Sequence, residues 1–129
     1  MARTHRFRVI ETTWGVAVDV TAHLEGEFDD RGEQLAIRFA EDSLAALHRS
    51  SAEFGVNAVS RRYPSASRTL GGKSLVIDRI DYIATDFQEA GVACAVAGWL
   101  CEELGAETSP LFLKFDNAQS RYVLIQREL

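Results

Sequence analysis

Residues 85–105, TDFQEAGVACAVAGWLCEELG, are apolar on almost every side of the helix that they would form. A helix without a polar face is usually buried, so we expect this segment to be the core helix of the domain. Its small residues share one stripe at helical spacing: Gly91, Ala95 and Gly98. Because small side chains permit close packing, the stripe predicts that the helix lies directly against a sheet.

Both ends of this helix carry sequence signals. Thr85 or Asp86 is followed three residues later by a glutamine or a glutamate, which is the capping-box pattern. Gly105 follows Leu104 and is typical of a helix C-terminus. The helix is therefore predicted to run from Thr85 to about Leu104.

The clearest strand signal lies near the N-terminus. Residues 16–28 alternate between apolar or small and polar side chains, which predicts a long strand with one face on a core and one face in water. Residues 6–13 are predicted to form a short strand before it. Residues 29–32 are predicted to turn the chain into a third strand, residues 35–39, antiparallel to the second.

The period changes to that of a helix in residues 40–54, where the apolar stripe is Ala40, Leu44, Leu47, Ser51 and Phe54. Gly55 is interpreted as the stop of this helix. Residues 56–63, VNAVSRRY, are predicted to form a strand that Pro64 ends, and residues 64–72 an exposed loop.

Three further strands are predicted. Residues 73–84 form one, with Val76, Ile80 and Tyr82 facing inward, and residues 111–115 and 121–125 form a C-terminal hairpin. The fold class is α+β: a two-layer α/β sandwich in β-β-β-α-β-α order, with a mostly antiparallel sheet, two helices on one face and the hairpin at the end.

Length and composition predict a soluble globular protein. The 129 residues fit a single domain over residues 1–129, and a net charge of −5 argues against nonspecific nucleic-acid binding by the whole surface. No apolar run reaches the roughly 20 residues of a membrane span, and residues 1–13 lack the apolar core of a signal peptide. We therefore expect a cytoplasmic protein that does not contact membranes.

A phosphate-binding loop is suggested by Gly72-Lys73-Ser74 within residues 65–81, SASRTLGGKSLVIDRID. Such a loop needs an earlier glycine, where this sequence has Ser67, and a following helix, where this sequence has a predicted strand. We therefore interpret Gly71-Gly72 as a turn that leads into that strand, and reject the nucleotide-binding loop.

The predicted binding residues are Arg61, Arg62, Tyr63, Arg68 and Lys73. The four basic residues among these five lie within residues 54–77, which contain no acidic residue. Arginine presents a planar donor fork to phosphate or carboxylate, and tyrosine can stack on a base. We expect this segment, residues 61–73, to bind RNA or an acidic protein partner; the alternative is a solvated basic loop that balances an acidic body.

No catalytic residue, metal site or cofactor is predicted. His23 shares a strand face with Asp19, Thr21 and Glu25, which we interpret as the solvated side of the strand rather than as a metal cluster. His48 is interpreted as a surface residue and His5 as part of a loose terminus.

The two cysteines are interpreted as buried, inert thiols. Cys94 and Cys101 are seven residues apart in the predicted core helix, so their Cα atoms would lie about 10 Å apart, beyond disulfide reach.

The order of elements resembles the two-layer domain shared by ribosomal protein S5 and domain IV of translation elongation factor G. The local likeness lies in LVIDRIDYIATDFQEAGVACAVAGWLCEELG, which is similar to the strand, acidic turn and alanine-rich helix that end domain IV, and in the later PLFLKF. The serines of the family's aspartate-serine-serine-glutamate run are missing here. Domain IV reaches the ribosomal decoding region through loops at its tip, so the resemblance implies a translation-associated role. The motifs of a GTPase domain are absent from the sequence.

Three functions remain open at this stage. The first is a non-enzymatic binding module whose basic segment contacts RNA or a protein. The second is a small enzyme that holds a phosphorylated or carboxylated substrate through the arginines. The third is a dimerising accessory protein that pairs through the uncovered sheet face, with Trp14, Phe28 or the hairpin in the interface.

Overall fold

The computed structural model describes residues 2–31, 34–83 and 87–127. These residues form six strands and three helices. In chain order they are β1 (Arg3–Ile10), β2 (Gly15–Glu25), β3 (Ala36–Phe39), α1 (Asp42–Arg62), α2 (Pro64–Ser67), β4 (Ser74–Tyr82), α3 (Ala90–Leu104), β5 (Leu111–Asp116) and β6 (Arg121–Gln126). A 3₁₀ turn, Arg68–Leu70, follows α2. This is the predicted two-layer α+β fold with a C-terminal hairpin.

The main sheet has the strand order β1-β2-β4-β3, and β5 pairs with β6 separately. β2 is antiparallel to β1 on one side and to β4 on the other, while β3 is parallel to β4. The prediction that β3 pairs with β2 is therefore wrong. Both edges of β2 are already occupied, so β3 takes the free edge of β4, and the parallel connection between them contains α1, as crossovers require.

β2 confirms the predicted alternation. Val16, Val18, Val20 and Ala22 are buried beneath the helices, and the residues between them are only partly buried. The strand ends at Glu25 rather than residue 28, because Gly26 has a φ of 87° and takes the chain out of the extended conformation. Part of the predicted turn at residues 29–32 lies outside the described residues.

α3 is the predicted core helix, buried continuously from Gly91 to Cys101. It begins at Ala90, later than predicted, while Thr85 and Asp86 of the predicted capping box lie outside the described residues. Gly105 ends it with a φ of 70°, as expected.

Both neighbours of α3 approach its backbone closely. A methyl carbon placed on Gly91 would lie 2.8 Å from Val16 of β2. On the other side, a methyl carbon placed on Gly55 of α1 would lie 2.6 Å from the carbonyl oxygen of Ala93. The small-residue composition of α3 therefore serves two contacts, one with the sheet and one with α1.

α1 continues through Gly55 to Arg62, so the predicted stop at Gly55 and the predicted strand at residues 56–63 are both wrong. Val56 and Val59 are buried on the same side of the helix as Ala52. Their burial against α3 outweighs the strand preference of valine. Residues 64–70 of the predicted exposed loop form α2 and the 3₁₀ turn instead. Pro64 occupies the first turn of α2, where proline is favoured.

A β-bulge reverses the faces of β4. Thr21 pairs with Arg79 and Ala22 with Ile77, which leaves Asp78 as the extra residue. Ile80 is buried in the core, as predicted. Val76 is buried but does not belong to the core cluster, and Tyr82 is 42% exposed, so the prediction that Tyr82 faces inward is wrong. The inward positions before the bulge are Leu75 and Ile77.

The chain ends are held by specific contacts. The Tyr122 hydroxyl of β6 donates to the Trp14 carbonyl at 2.8 Å, and its ring packs edge-on against Trp14. Arg3 forms an ion pair with Glu102 of α3, and His5 bonds the same carboxylate. The prediction that His5 lies in a loose terminus is therefore wrong.

We predict that Gly55→Ala destabilises the protein by about 1–3 kcal/mol, because the added methyl group meets backbone that cannot move aside. Alanine in place of glycine within an unconstrained helix would instead stabilise by about 0.5–1 kcal/mol. Urea unfolding measures the difference, with Ser50→Ala on the exposed side of α1 as the control. A stabilised Gly55→Ala variant would show that the two helices are further apart than described.

Candidate functional site

The predicted basic segment forms one end of the helical layer. Arg61 and Arg62 lie in the last turn of α1, Arg68 begins the 3₁₀ turn, and Lys73 immediately precedes β4. The five predicted residues divide into two groups by their contacts.

Arg61 and Arg68 are exposed and line a common cavity, which we call the arginine cavity. Arg62 instead lies over the ring of Tyr63, 4.8 Å from its centroid, and the Tyr63 hydroxyl donates to the Thr108 carbonyl at 2.5 Å. Lys73 is half-buried. The structure thus brings two of the predicted residues to one concave site and uses Tyr63 to join α1 to the segment after α3.

The arginine cavity has a volume of about 620 Å³. Its buried floor is apolar and is contributed by α1, the 3₁₀ turn and α3: Val59, Leu70 and Leu100. Polar residues surround this floor, namely Asp29, Asp30, Gln34, Asn57, Ser60, Arg61, Ser67 and Arg68. An apolar floor with a few polar groups is the usual composition of a small-ligand site.

The described residues between β2 and β3 supply another part of the lining: Phe28, Asp29, Asp30, Gln34 and Leu35. Its position is fixed where the Asp29 amide donates to the Gly71 carbonyl at 2.8 Å. Gly72 has a φ of 81°, and a methyl carbon there would lie 2.5 Å from Asp29. Because β4 follows directly, Gly71-Gly72 is the predicted turn into a strand, and no helix follows as a phosphate-binding loop would require.

Phe28 is the cavity residue that sequence reasoning missed. It lines the arginine cavity and is 55% exposed. The alternation of residues 16–28 predicts that Phe28 lies on the buried face of the strand, but β2 ends before it, at Glu25. An exposed aromatic ring in a cavity with arginines indicates a binding site. The alternating pattern hid this indication because it predicts a buried position for Phe28.

One polar atom at the cavity lacks a partner. The Ser67 hydroxyl oxygen is buried and makes no hydrogen bond within the described residues. Buried polar groups are normally bonded, so this hydroxyl is an unsatisfied polar group beside the cavity.

The His23 cluster lies on the outer face of the sheet, the face opposite the helices. His23 Nδ1 bonds Asp78 at 2.7 Å and Nε2 bonds Glu25 at 3.1 Å, while Asp19 pairs with Arg8 instead. The hydrogen bonds with Asp78 and Glu25 raise the pKa of His23 above its ordinary value of 6.5, and the bond with His23 lowers the pKa of Glu25. No metal-binding group was found among the described residues.

His48 is buried, so the prediction that it is a surface residue is wrong. Its Nδ1 bonds the Glu89 carboxylate at 2.9 Å, and Ser51 donates to the same carboxylate at 2.6 Å. Both residues thus bind Glu89, so the cluster joins α1 to the start of α3 and does not place a serine against a histidine base.

Both cysteines are buried and free, as predicted. Burial raises the pKa of Cys94 to about 12 and also raises that of Cys101. Neither thiol is activated as a nucleophile.

Comparison with known proteins identifies a shared fold. No protein-family model matches the chain, and no curated protein matches it significantly. The solved structure of the protein ttk003000868 from Thermus thermophilus is similar to this chain, with a TM-score of 0.56 and 13% sequence identity. The match covers 75% of this chain and 14% of that chain, so it lies within a much longer protein.

The helices were also compared with membrane spans. Within the described residues, none combines the length and apolar composition that crossing a bilayer requires.

We predict that His23 makes stability depend on pH. Its folded pKa is raised, so its contribution is fully present below about pH 6.5 and is lost as the pH rises through the folded pKa. Urea unfolding between about pH 6 and 9 should therefore show a decline in the free energy of unfolding that is smaller in His23→Gln. Glu25 acts at lower pH, because its lowered pKa gives stability that is lost only as the pH falls through that folded value. Equal declines in both proteins would contradict the role of His23.

Proposed function

We propose that this chain is a non-enzymatic, translation-associated binding module that contacts RNA through its basic segment. The observation that carries this proposal is that the basic residues of this segment form no ion pairs within the described residues. Five arginines elsewhere form ion pairs with carboxylates: Arg3, Arg8, Arg31, Arg38 and Arg79. The four basic residues at positions 61–73 form none within the described residues, and Arg61 and Arg68 are also exposed. Other basic residues such as Arg6 likewise form none there, but residues 54–77 combine four basic residues with no acidic residue, so positive charge is concentrated at this segment.

The proposed kinship with domain IV of elongation factor G rests on the fold. The observed elements follow the predicted β-β-β-α-β-α order, with a short α2 inserted before β4. The Thermus thermophilus match is a small section of its chain, which is consistent with a domain that serves within larger proteins. We therefore favour a role at a ribosomal or other structured RNA.

RNA is favoured over an acidic protein by the surroundings of the arginines. Phe28 supplies an exposed ring on which a base can stack, and the apolar floor of the arginine cavity can receive it. With a net charge of −5, the surface as a whole disfavours RNA, so we expect binding at the segment where basic residues are concentrated.

The alternative of a small enzyme is supported by the same cavity, which could hold a phosphorylated or carboxylated substrate between Arg61 and Arg68. Its described lining contains carboxylates and hydroxyls but no histidine or cysteine. We rank this function second because the cavity shows no nucleophile paired with a base.

The alternative of a dimer through the outer face is favoured less. That face carries the Arg8–Asp19 and Arg38–Glu25 ion pairs and the His23 cluster, a composition typical of a solvated surface. Trp14 packs within the molecule against Phe115 and Tyr122. Sedimentation at micromolar concentration tests this function.

We predict salt-dependent binding of single-stranded RNA. Neutralising phosphates with four cations gives a slope of log affinity against log salt of about −3, and each removed cation lowers its magnitude by about 0.7. Fluorescence anisotropy of a labelled oligonucleotide measures both the wild type and Arg61→Ala, Arg68→Ala and the double variant.

Arg6→Ala on the outer face is the matched control, since Arg6 is also exposed and has no ion pair in the described part of the chain. It should leave the slope unchanged. Absence of RNA binding at low salt, or equal losses of affinity in Arg6→Ala and Arg68→Ala, would contradict the proposed function. Binding of an acidic protein instead of RNA would support the partner that we rank below RNA.

A further inference from the structure

The arginine cavity has the size and depth of a site for one small organic group. Its volume of about 620 Å³ lies within the roughly 300–1,000 Å³ of such sites. It is partly open to solvent, so a group attached to a longer chain could enter it. Its chemistry indicates what that group is.

The apolar part of the cavity suits a flat ring. Val59, Leu70 and Leu100 form a buried floor, and Phe28 stands exposed at the edge. A base inserted here gains apolar contact below and an aromatic face beside it. Stacking of this kind is how unpaired bases are usually held.

The charged groups of the cavity come from two parts of the fold. Arg61 and Arg68 come from the helical layer, and neither forms an ion pair within the described residues. Asp30, from the β2–β3 segment, is exposed and likewise forms no ion pair there. The cavity lining therefore offers donors for a phosphate, an acceptor for an amino group and an apolar surface.

We infer that the arginine cavity binds one unpaired nucleotide, with its phosphate at Arg61 and Arg68, its base against Phe28 and the apolar floor, and the amino group of the base donating to Asp30. This inference rests on the proposed RNA-binding function and specifies its site. The shared chemistry is a nucleobase with a phosphate, supplied by an RNA strand or by a free mononucleotide.

Comparing cytosine with uracil tests the contact with Asp30. The two bases have the same ring size, but only cytosine carries an amino group. Hydrogen bonding to Asp30 should favour oligocytidine over oligouridine by about fivefold or more. Asp30→Asn weakens this acceptor's charge and should reduce the discrimination while leaving the salt slope unchanged.

The decisive variant is Phe28→Ala, which removes the ring and leaves every arginine in place. Loss of stacking should weaken oligocytidine binding by about fivefold or more. Phe28→Leu retains apolar bulk without the aromatic face and should restore part of the loss. Leu47→Ala is the control, since Leu47 is 67% exposed on α1 and does not line the cavity. Thermal unfolding of each variant checks the fold.

The two sources are distinguished by competition. If free cytidine monophosphate displaces the labelled strand and shifts the NMR signals of Phe28 and Leu104, the cavity binds a mononucleotide by itself; displacement only by oligonucleotides assigns it to an RNA strand. Either result supports the inference.

These experiments distinguish an error in the nucleotide site from an error in the proposed RNA-binding function. If RNA binding requires Arg61 and Arg68 but is unchanged in Phe28→Ala, the nucleotide site is overturned and the basic segment remains an RNA-binding surface. If the wild type binds no RNA, the proposed function is overturned, and the absence of NMR shifts with cytidine monophosphate overturns the site as well.

Discussion

The close approach of α3 to both of its neighbours is the constraint on which the rest of the structure depends. Gly91 lies against β2, and Gly55 of α1 lies against the backbone of Ala93. At such separations, a single methyl group must displace backbone or buried valine. This contact fixes the position of α1, and α1 then carries Val59 and Arg61 to the point where Leu100 of α3 completes the floor of the arginine cavity. The site is therefore a consequence of how the helices pack.

The sequence was sufficient for features in which one local pattern dominates. The alternation in β2 follows from the two faces of a strand, and the all-round apolar character of α3 follows from its position between the sheet and α1. Gly105 has the left-handed conformation that glycine at a helix end suggests. In each case no distant contact had to be known, because local preference and tertiary packing agree.

Sequence reasoning was insufficient where a distant contact overrides the local preference. Gly55 has the appearance of a helix stop, but it is tolerated inside α1 because its missing side chain admits the backbone of α3. β3 could not be placed beside β4 without knowledge that both edges of β2 were filled. For the site, the arginines were identifiable as a cluster without acids, whereas Phe28 and Asp30 are more than 30 residues away and join them only in the fold.

The acidic body and the basic segment have complementary effects on a polyanionic partner. Ion pairing within the fold removes the attraction that Arg8, Arg38 and Arg79 would otherwise exert, while unpaired charge remains at Arg61 and Arg68. Residues 54–77, with four basic residues and no acidic one, then attract a polyanion more strongly than the mixed-charge surface around them. Carboxylates at that same end would oppose a phosphate that approached them, and accept hydrogen bonds from a base that turned its amino group toward them. The presence of both aspartate and arginine in the cavity lining thus lowers the affinity for a simple polyanion, and favours a ligand that carries both an anionic group and a hydrogen-bond donor.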